Sequence, residues 1–215
     1  MVSKTGKLTG KLTGQLPEIA YPPAPWQLGG DSWVGIFKSR IPVRAPVPLK
    51  PVLNDRYLVI ALIRYLHGTL TYDELIIGSM ARYGWRVGLY VHYIWVDDMC
   101  SLWGGRRIWG LNKEMAEFSW QGSTVEITDD QGLIANITVN QERSTFPAIW
   151  LPVPSFGQLD DKWLFTCGSI KTNLASAGMQ INQWSNRFPY QISGLPVYSI
   201  AGKPFDMTFV KPKNL

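Results

Sequence analysis

The chain has 215 residues, of which 46% are hydrophobic, so it carries enough apolar material for one large domain with a substantial core. This composition argues against an intrinsically disordered chain. The formal net charge is +5, but its densest basic clusters are pairs such as Arg106 and Arg107, so we do not expect the basic surface of a nucleic-acid-binding protein.

The first segment of the chain carries no pattern of regular structure. Residues 1–15 contain two polar near-repeats, Lys7–Gly10 and Lys11–Gly14, which are too short to bury a face. They predict a flexible tail, followed by a single domain over residues 16–215. Proline then recurs from Pro22 to Pro51, which excludes helix interiors and indicates extended segments.

Three apolar runs with glycine boundaries follow. They cover Tyr57–Leu66, Leu75–Gly78 and Val87–Val96, and their spacing predicts successive buried strands. Shorter alternating or β-branched segments come next, at Phe118–Trp120, Thr124–Thr128, Leu133–Val139, Pro196–Ile200 and Phe205–Val210. So many strands without helical crossovers predict a mainly β fold, an antiparallel sheet closed into a barrel or a sandwich.

One short helix is predicted, from about Trp109 or Asn112 to Phe118. Asn112 could cap it, and Met115 and Phe118 would share a face at a spacing of three residues.

Most catalytic signatures are missing from the sequence. It has no phosphate-binding loop, no dinucleotide-binding glycine motif and no Gly-x-Ser-x-Gly motif, and two histidines, His67 and His92, cannot form a three-histidine zinc site. No metal and no cofactor is therefore expected. Cys100 and Cys167 lack metal-site spacing, and no signal peptide or long apolar run is present, so we expect a reduced, cytoplasmic protein without a membrane partner.

Lys113 is the residue with the strongest chemical interest. It is the one lysine between Lys50 and Lys162, and its neighbours are largely aromatic and aliphatic. An amine attacks a carbonyl only when it is neutral, and an apolar pocket favours that neutral form. From the spacing alone, the favoured interpretation is a solvated lysine in the first turn of a surface helix.

A family resemblance reverses this preference. Gly105-Arg106, six further residues and then Lys113 resemble the lysine motif of the acetoacetate decarboxylase family, in which the lysine forms a Schiff base. Upstream, His92 and Asp97 resemble a histidine and a strand-ending aspartate of the family.

Further segments extend the resemblance over about residues 19–210. Tyr72 and Glu74 resemble the family's Tyr-x-Glu, whose glutamate lines the active site. Pro22–Trp26 is similar to the family's proline-rich entry segment, and Leu195–Val210 is similar to its closing segment.

The resemblance implies a fold, a mechanism and a set of site residues. The fold would be an acetoacetate-decarboxylase-like antiparallel β-barrel or cone with a few short helices, in a protein that forms homo-oligomers. Lys113 would attack a small-molecule carbonyl substrate, and the iminium would accept electrons while an adjacent carbon–carbon bond breaks. Glu74 would orient the substrate or relay a proton, or else it is a solvated turn residue.

Four further residues are implied as substrate-binding residues by the same resemblance: Arg106, Tyr72, His92 and Trp109. Arg106 has an alternative role as a structural clamp on Asp97 or Asp98.

The sequence also departs from the family pattern. Glu114 stands where the decarboxylase has a second lysine, and a carboxylate beside Lys113 would stabilise its charged form. No arginine occurs in Leu28–Asp31 and no acid near Val59, where the decarboxylase has polar pocket residues. These differences argue against acetoacetate as the substrate.

Three functions therefore remain open. The first is a Schiff-base-forming lyase on a β-keto acid or a related carbonyl compound, with decarboxylation as the parent reaction. The second uses the same lysine for aldol condensation, dehydration or isomerisation. The third is a non-covalent binder of an apolar metabolite in an aromatic cavity.

Overall fold

A computed structural model describes residues 17–52, 54–141, 146–192 and 194–215 of the chain. The tail predicted over residues 1–15 lies outside the described residues. Within them, the chain is mainly β, with one α-helix, α1 (Met99–Trp109). The strands are β1 (Trp26–Lys38), β2 (Lys50–Pro51), β3 (Tyr57–Gly68), β4 (Tyr72–Tyr83), β5 (Arg86–Val96), β6 (Lys113–Met115), β7 (Glu117–Gln121), β8 (Thr124–Asp129), β9 (Gly132–Gln141), β10 (Ile149–Leu159), β11 (Lys162–Trp184), β12 (Tyr198–Phe209) and β13 (Lys213–Asn214).

Seven strands form a closed ring. Their order is β10-β5-β4-β3-β1-β12-β11, and β11 pairs back with β10 to complete the circuit. Every pairing in this ring is antiparallel except the short parallel contact between β10 and β5. The three apolar runs predicted as strands are β3, β4 and β5, which pair in sequence order. The predicted mainly β, antiparallel architecture is confirmed.

A second layer packs against the ring. Strand β11 pairs with β12 through its first part and with β9 through its last part, so it joins the ring to the β7-β8-β9 meander. Isoleucines of the meander, Ile127 and Ile137, share one core with Leu75, Ile77 and Trp95 of the ring. A separate core inside the ring includes the aromatic residues Trp26, Tyr65, Tyr72, Trp109 and Phe205. The two faces of the ring are therefore both buried.

The predicted helix is wrong in position. The helix ends before Asn112, because Gly110 takes a left-handed conformation at its C-terminus (φ 62°), which glycine adopts without a steric penalty. The next residues, Lys113–Met115, pair in parallel with Ile94–Val96 of β5 and alternate between buried and exposed. At the other end, the Asp98 side chain accepts a hydrogen bond from the backbone N–H of Ser101 and caps the helix.

In the described ranges, no helix has both the length and the apolar character needed to cross a bilayer. Cys100 and Cys167 are both unpaired thiols. Among the described residues, no three His, Cys, Asp or Glu side chains are grouped as metal ligands would be.

Candidate active site

A cavity of about 110 Å³ lies inside the ring, and Lys113 and Glu74 both face it. Its lining is formed by Trp26, Leu28, Ile63, Tyr65, Tyr72, Glu74, Ile76, Leu89, Val91, Ile94, Trp109, Leu111, Lys113, Val153, Pro154, Ser155, Met207 and Phe209. Most of these side chains are aliphatic or aromatic, so the few polar groups of the cavity stand in an apolar enclosure.

Strand periodicity places the lining residues of β4. Tyr72, Glu74 and Ile76 are two residues apart and therefore point to the same face of the sheet. On β5, Val91 and Ile94 are three residues apart, yet both line the cavity. A β-bulge explains this, because the pairing with β4 shifts register between these residues and leaves His92 as the extra residue.

Lys113 is held in place by two hydrogen bonds. Its Nζ donates to Oε2 of Glu74 at 2.6 Å and to Oγ of Ser101 at 2.9 Å. The Lys113 and Glu74 side chains are 5% and 4% exposed, so each charge is compensated mainly by the other. Nζ also lies 5.2 Å from the centroid of the Tyr72 ring.

Two phenols complete the polar cluster. The Tyr65 hydroxyl donates to Oε1 of Glu74 at 3.1 Å, and its ring is 4.4 Å from that of Tyr72. Burial, and then the negative charge of Glu74, raise the pKa of both phenols well above the ordinary value. Tyr65 and Tyr72 therefore stay protonated at neutral pH and act as hydrogen-bond donors.

Comparisons with known proteins agree with this fold. The family model described as acetoacetate decarboxylase matches residues 45–149, a range that contains both Glu74 and Lys113. No curated protein sequence matches the chain. Among solved structures, an acetoacetate decarboxylase superposes with a TM-score of 0.68 at 10% identity, covering 91% of each chain.

Two further structures are similar over nearly their whole length. The acetoacetate decarboxylase of Legionella pneumophila has a TM-score of 0.66 at 15% identity and covers 98% of this chain and 94% of its own. The enduracididine biosynthesis enzyme MppR, complexed with the condensation product of pyruvate and imidazole 4-carboxaldehyde, has a TM-score of 0.65 at 14% identity, covering 96% and 97%. At these identities the likeness establishes the fold.

The matched segment and the shared fold, at low sequence identity, fit a divergent member of the acetoacetate decarboxylase-like family. Of the residues that the family motif singled out, the structure brings Lys113, Glu74, Tyr72 and Trp109 together around the cavity. Trp109 packs edge-to-face on Trp26 and donates its indole N–H to the carbonyl of Val210.

The other two candidates, Arg106 and His92, lie outside the cavity of this family member. Arg106 donates from Nε to the carbonyl oxygen of Lys113 at 2.7 Å, so it holds the backbone that carries the lysine. His92 contacts Oγ of Ser79 through Nε2 at 2.8 Å and the Tyr190 hydroxyl through Nδ1 at 3.2 Å. Neither side chain is among those that line the cavity.

The Gly-Arg pair of the family motif has a steric explanation in this chain. A Cβ on Gly105 would lie 2.5 Å from Cδ and 2.6 Å from Cε of Lys113, so a side chain there would displace the lysine. Glycine at this position lets the helix approach the lysine side chain closely.

Glu114 lies farther from the amine than the sequence indicated. Because residues 113–115 form a strand, Lys113 is buried and Glu114 is exposed on the opposite face. The carboxylate that contacts Lys113 is Glu74.

Sequence reasoning missed Ser101 and Tyr65. The available indication for Ser101 was its position three residues after Asp98, the usual spacing from a capping residue. Tyr65 is identified by the β3-β4 register, which places it directly opposite Tyr72.

Proposed function

We propose that the chain is a Schiff-base-forming enzyme that acts on a ketone or an aldehyde through Lys113. The observation that carries the proposal is a buried lysine amine that faces an apolar cavity, with the Glu74 carboxylate 2.6 Å away as a proton acceptor. This arrangement meets the geometric requirement for a nucleophile with an adjacent base.

Glu74 would act twice while the iminium forms. It first takes a proton from the Lys113 ammonium, and the freed lone pair attacks the carbonyl carbon. The carbonyl oxygen gains one proton from the attacking nitrogen and a second from Glu74, which returns the proton it took, and the oxygen leaves as water. One positive charge is present before and after the step, first on the ammonium and then on the iminium.

The iminium then accepts the electron pair of a bond next to the former carbonyl carbon. In the parent reaction that bond joins a carboxylate, carbon dioxide leaves, and the resulting enamine is protonated at carbon. Trp26 and Trp109 form apolar walls of the cavity, and apolar surroundings would strengthen the interaction of the charged intermediate with Glu74.

Aldol-type chemistry is the second candidate function. Its first half is the same, but the enamine forms by loss of an α-proton and attacks a second carbonyl carbon. The fold similarity to MppR, whose structure holds a condensation product, supports this candidate. A non-covalent binder of an apolar metabolite is the third, and the aliphatic lining of the cavity is compatible with it.

Reductive trapping tests the covalent step. The protein is incubated with acetoacetate, pyruvate, 2-octanone or octanal in the presence of cyanoborohydride, and peptide mass spectrometry locates the adduct. We expect an adduct on Lys113 that is lost in Lys113→Met, while Lys162→Arg at an exposed lysine leaves it unchanged. Release of carbon dioxide from acetoacetate, measured without the reductant, then separates decarboxylation from aldol chemistry. A folded protein that gives no Lys113 adduct with any of these compounds would refute both covalent functions.

A further inference from the structure

In the part of the chain that the structure describes, one positive and one negative side chain line the cavity, and their charges compensate each other. Lys113 and Glu74 are 2.6 Å apart and almost fully buried. Among the described residues that line the cavity, every other polar side chain is a neutral hydroxyl, on Tyr65, Tyr72 or Ser155.

This charge balance decides which substrates are accommodated. A substrate carboxylate would be a second anion beside Glu74, with Lys113 or its iminium as the single cation for both. A buried anion without its own cation is strongly disfavoured, because its lost hydration is not replaced. A neutral carbonyl compound leaves the existing balance intact.

The wall supports the same conclusion. Leu28 stands at the cavity in the segment where the sequence pattern led us to look for a pocket arginine, and it is 4% exposed. Met207 and Phe209 of β12 continue this side of the wall. These side chains stabilise a bound molecule through apolar contact and offer it no positive charge.

We propose that the substrate is an uncharged ketone or aldehyde with a compact apolar chain and without a carboxylate. The inference rests on the proposed function of Lys113 and specifies its substrate class. A cavity of about 110 Å³ accommodates a molecule of roughly seven to eleven non-hydrogen atoms, if each takes up roughly 10–15 Å³, the volume of one water-sized sphere.

Such a substrate has no carbon dioxide to release, so the electron pair must come from an α C–H bond. Glu74 takes the α-proton of the iminium, the C–H electron pair becomes the carbon–carbon double bond, and the iminium π pair moves to nitrogen. The α-carbon of the neutral enamine then takes a proton back from Glu74. Alternatively, this carbon attacks a second aldehyde, and the oxygen of that aldehyde takes the proton from Glu74. Water then hydrolyses the iminium and releases Lys113. In D₂O, the first route exchanges α-hydrogen for deuterium.

The test compares carbonyl compounds that differ in charge but not in intrinsic reactivity. Methyl 5-oxohexanoate and 5-oxohexanoate carry the same methyl ketone, remote from the ester or the carboxylate. Cyanoborohydride trapping on Lys113 is measured for both and for 2-octanone, each rate being divided by that of N-acetyl-lysine in solution. We expect the ester and 2-octanone to be trapped at least about tenfold faster than the carboxylate, and 2-octanone to exchange its α-hydrogens in D₂O.

Met207 offers a matched pair of variants, because it lines the cavity and is only partly buried. Met207→Arg adds the missing cation, and we expect it to reduce or abolish the preference for the ester. Met207→Gln adds polarity without charge and should keep the preference.

The outcomes separate the two proposals. If no compound is trapped on Lys113, the proposed function fails and the substrate class fails with it. If 5-oxohexanoate is trapped as fast as its ester by the unmodified protein, Lys113 is active but the substrate class is wrong. If the ester is preferred and Met207→Arg leaves that preference unchanged, charge does not set the specificity and the inference is also overturned.

Discussion

Two consecutive carboxylates of β4, Asp73 and Glu74, face opposite sides of the ring, and each contacts a cation. Glu74 points into the cavity and accepts from Lys113, and both side chains are about 5% exposed or less. Asp73 points to the outer layer, where it contacts Nε of Arg64 at 3.3 Å and accepts from the Trp120 indole at 3.0 Å. The Arg64 side chain is 37% exposed and lies over the Trp120 ring.

The difference between the pairs lies in the cation and in its surroundings. A guanidinium keeps its charge at any physiological pH and suits a fixed contact, and Arg64 with Trp120 and Asp73 ties the ring to the meander. A lysine amine, unlike a guanidinium, can lose its proton, and Lys113 lies next to unfilled space. An ion pair in a β-sheet therefore indicates chemistry only when its cation can become neutral and a substrate can reach it.

Removal of the cation from each ion pair should give the largest difference in the free energy of unfolding between the inner and the outer pair. Lys113→Met leaves Glu74 buried without its cation, and we expect a loss of about 3–5 kcal/mol in the free energy of unfolding. Arg64→Met removes a partly exposed cation while Asp73 keeps its contact with Trp120, and we expect about 1 kcal/mol or less. Urea unfolding of the two variants measures both losses.

The double variant Lys113→Met with Glu74→Gln is the control for the inner pair. Because it removes both charges, it should recover most of the stability that Lys113→Met loses. Equal losses in Lys113→Met and Arg64→Met would show that the inner pair is no more dependent on its cation than the outer one.

The sequence predicted three neighbouring strands of the ring, β3, β4 and β5, because their apolar content alone defines them. Runs such as Tyr57–Leu66 are buried on both faces, inside against the cavity and outside against the meander, so they are continuous rather than alternating. Lys113 could be singled out because it is an isolated lysine in an apolar segment with a matching family motif.

The missed features depend on contacts between distant segments. Met115 and Phe118 are three residues apart, which fits a helix, but parallel pairing of residues 113–115 with β5 makes this segment a strand. A bulge removes His92 from the cavity face, and strand periodicity in the sequence does not reveal a one-residue insertion. Ser101 reaches the amine only because Gly105 allows the helix to pack against Lys113.

His92 gives the second prediction, which tests whether a residue outside the cavity affects stability without affecting the reaction at Lys113. Burial lowers the pKa of His92 to about 4 from an ordinary value near 6.5, so the folded protein holds it neutral. The unfolded chain binds a proton below pH 6.5 and the folded chain does not, so stability is complete above pH 6.5 and falls until about pH 4. The shift corresponds to a loss of about 3 kcal/mol at most.

Urea unfolding between pH 7 and pH 4 checks this dependence. His92→Gln should flatten the profile relative to the unmodified protein, while His67→Gln at an exposed position should not. Trapping on Lys113 should be similar in both variants, since neither histidine lines the cavity. Slower trapping in His92→Gln would indicate that His92 acts on the substrate. The cavity face of the ring would then not be the one face that carries substrate-binding residues.

Substitution of the capping residue Asp98 at the N-terminus of α1 gives the smallest expected effect. It should affect the Lys113–Glu74 pair and leave the Arg64–Asp73 pair unchanged. Asp98 caps the helix by accepting from the backbone N–H of Ser101 at 2.7 Å, and the Ser101 hydroxyl contacts Nζ of Lys113. Asp98→Ala should cost about 1 kcal/mol in the free energy of unfolding and slow trapping a few-fold, because the turn that carries Ser101 loosens.

Asp98→Asn separates the cap from the charge. Asparagine is as good a capping residue as aspartate, so this variant should keep both stability and trapping close to those of the unmodified protein. If Asp98→Asn is as damaging as Asp98→Ala, the negative charge of Asp98 rather than its hydrogen bond acts on Lys113. The charge balance of the cavity would then include Asp98 as a third charged side chain. Lys113 and Glu74 could not be treated as one cation and one anion that compensate each other alone.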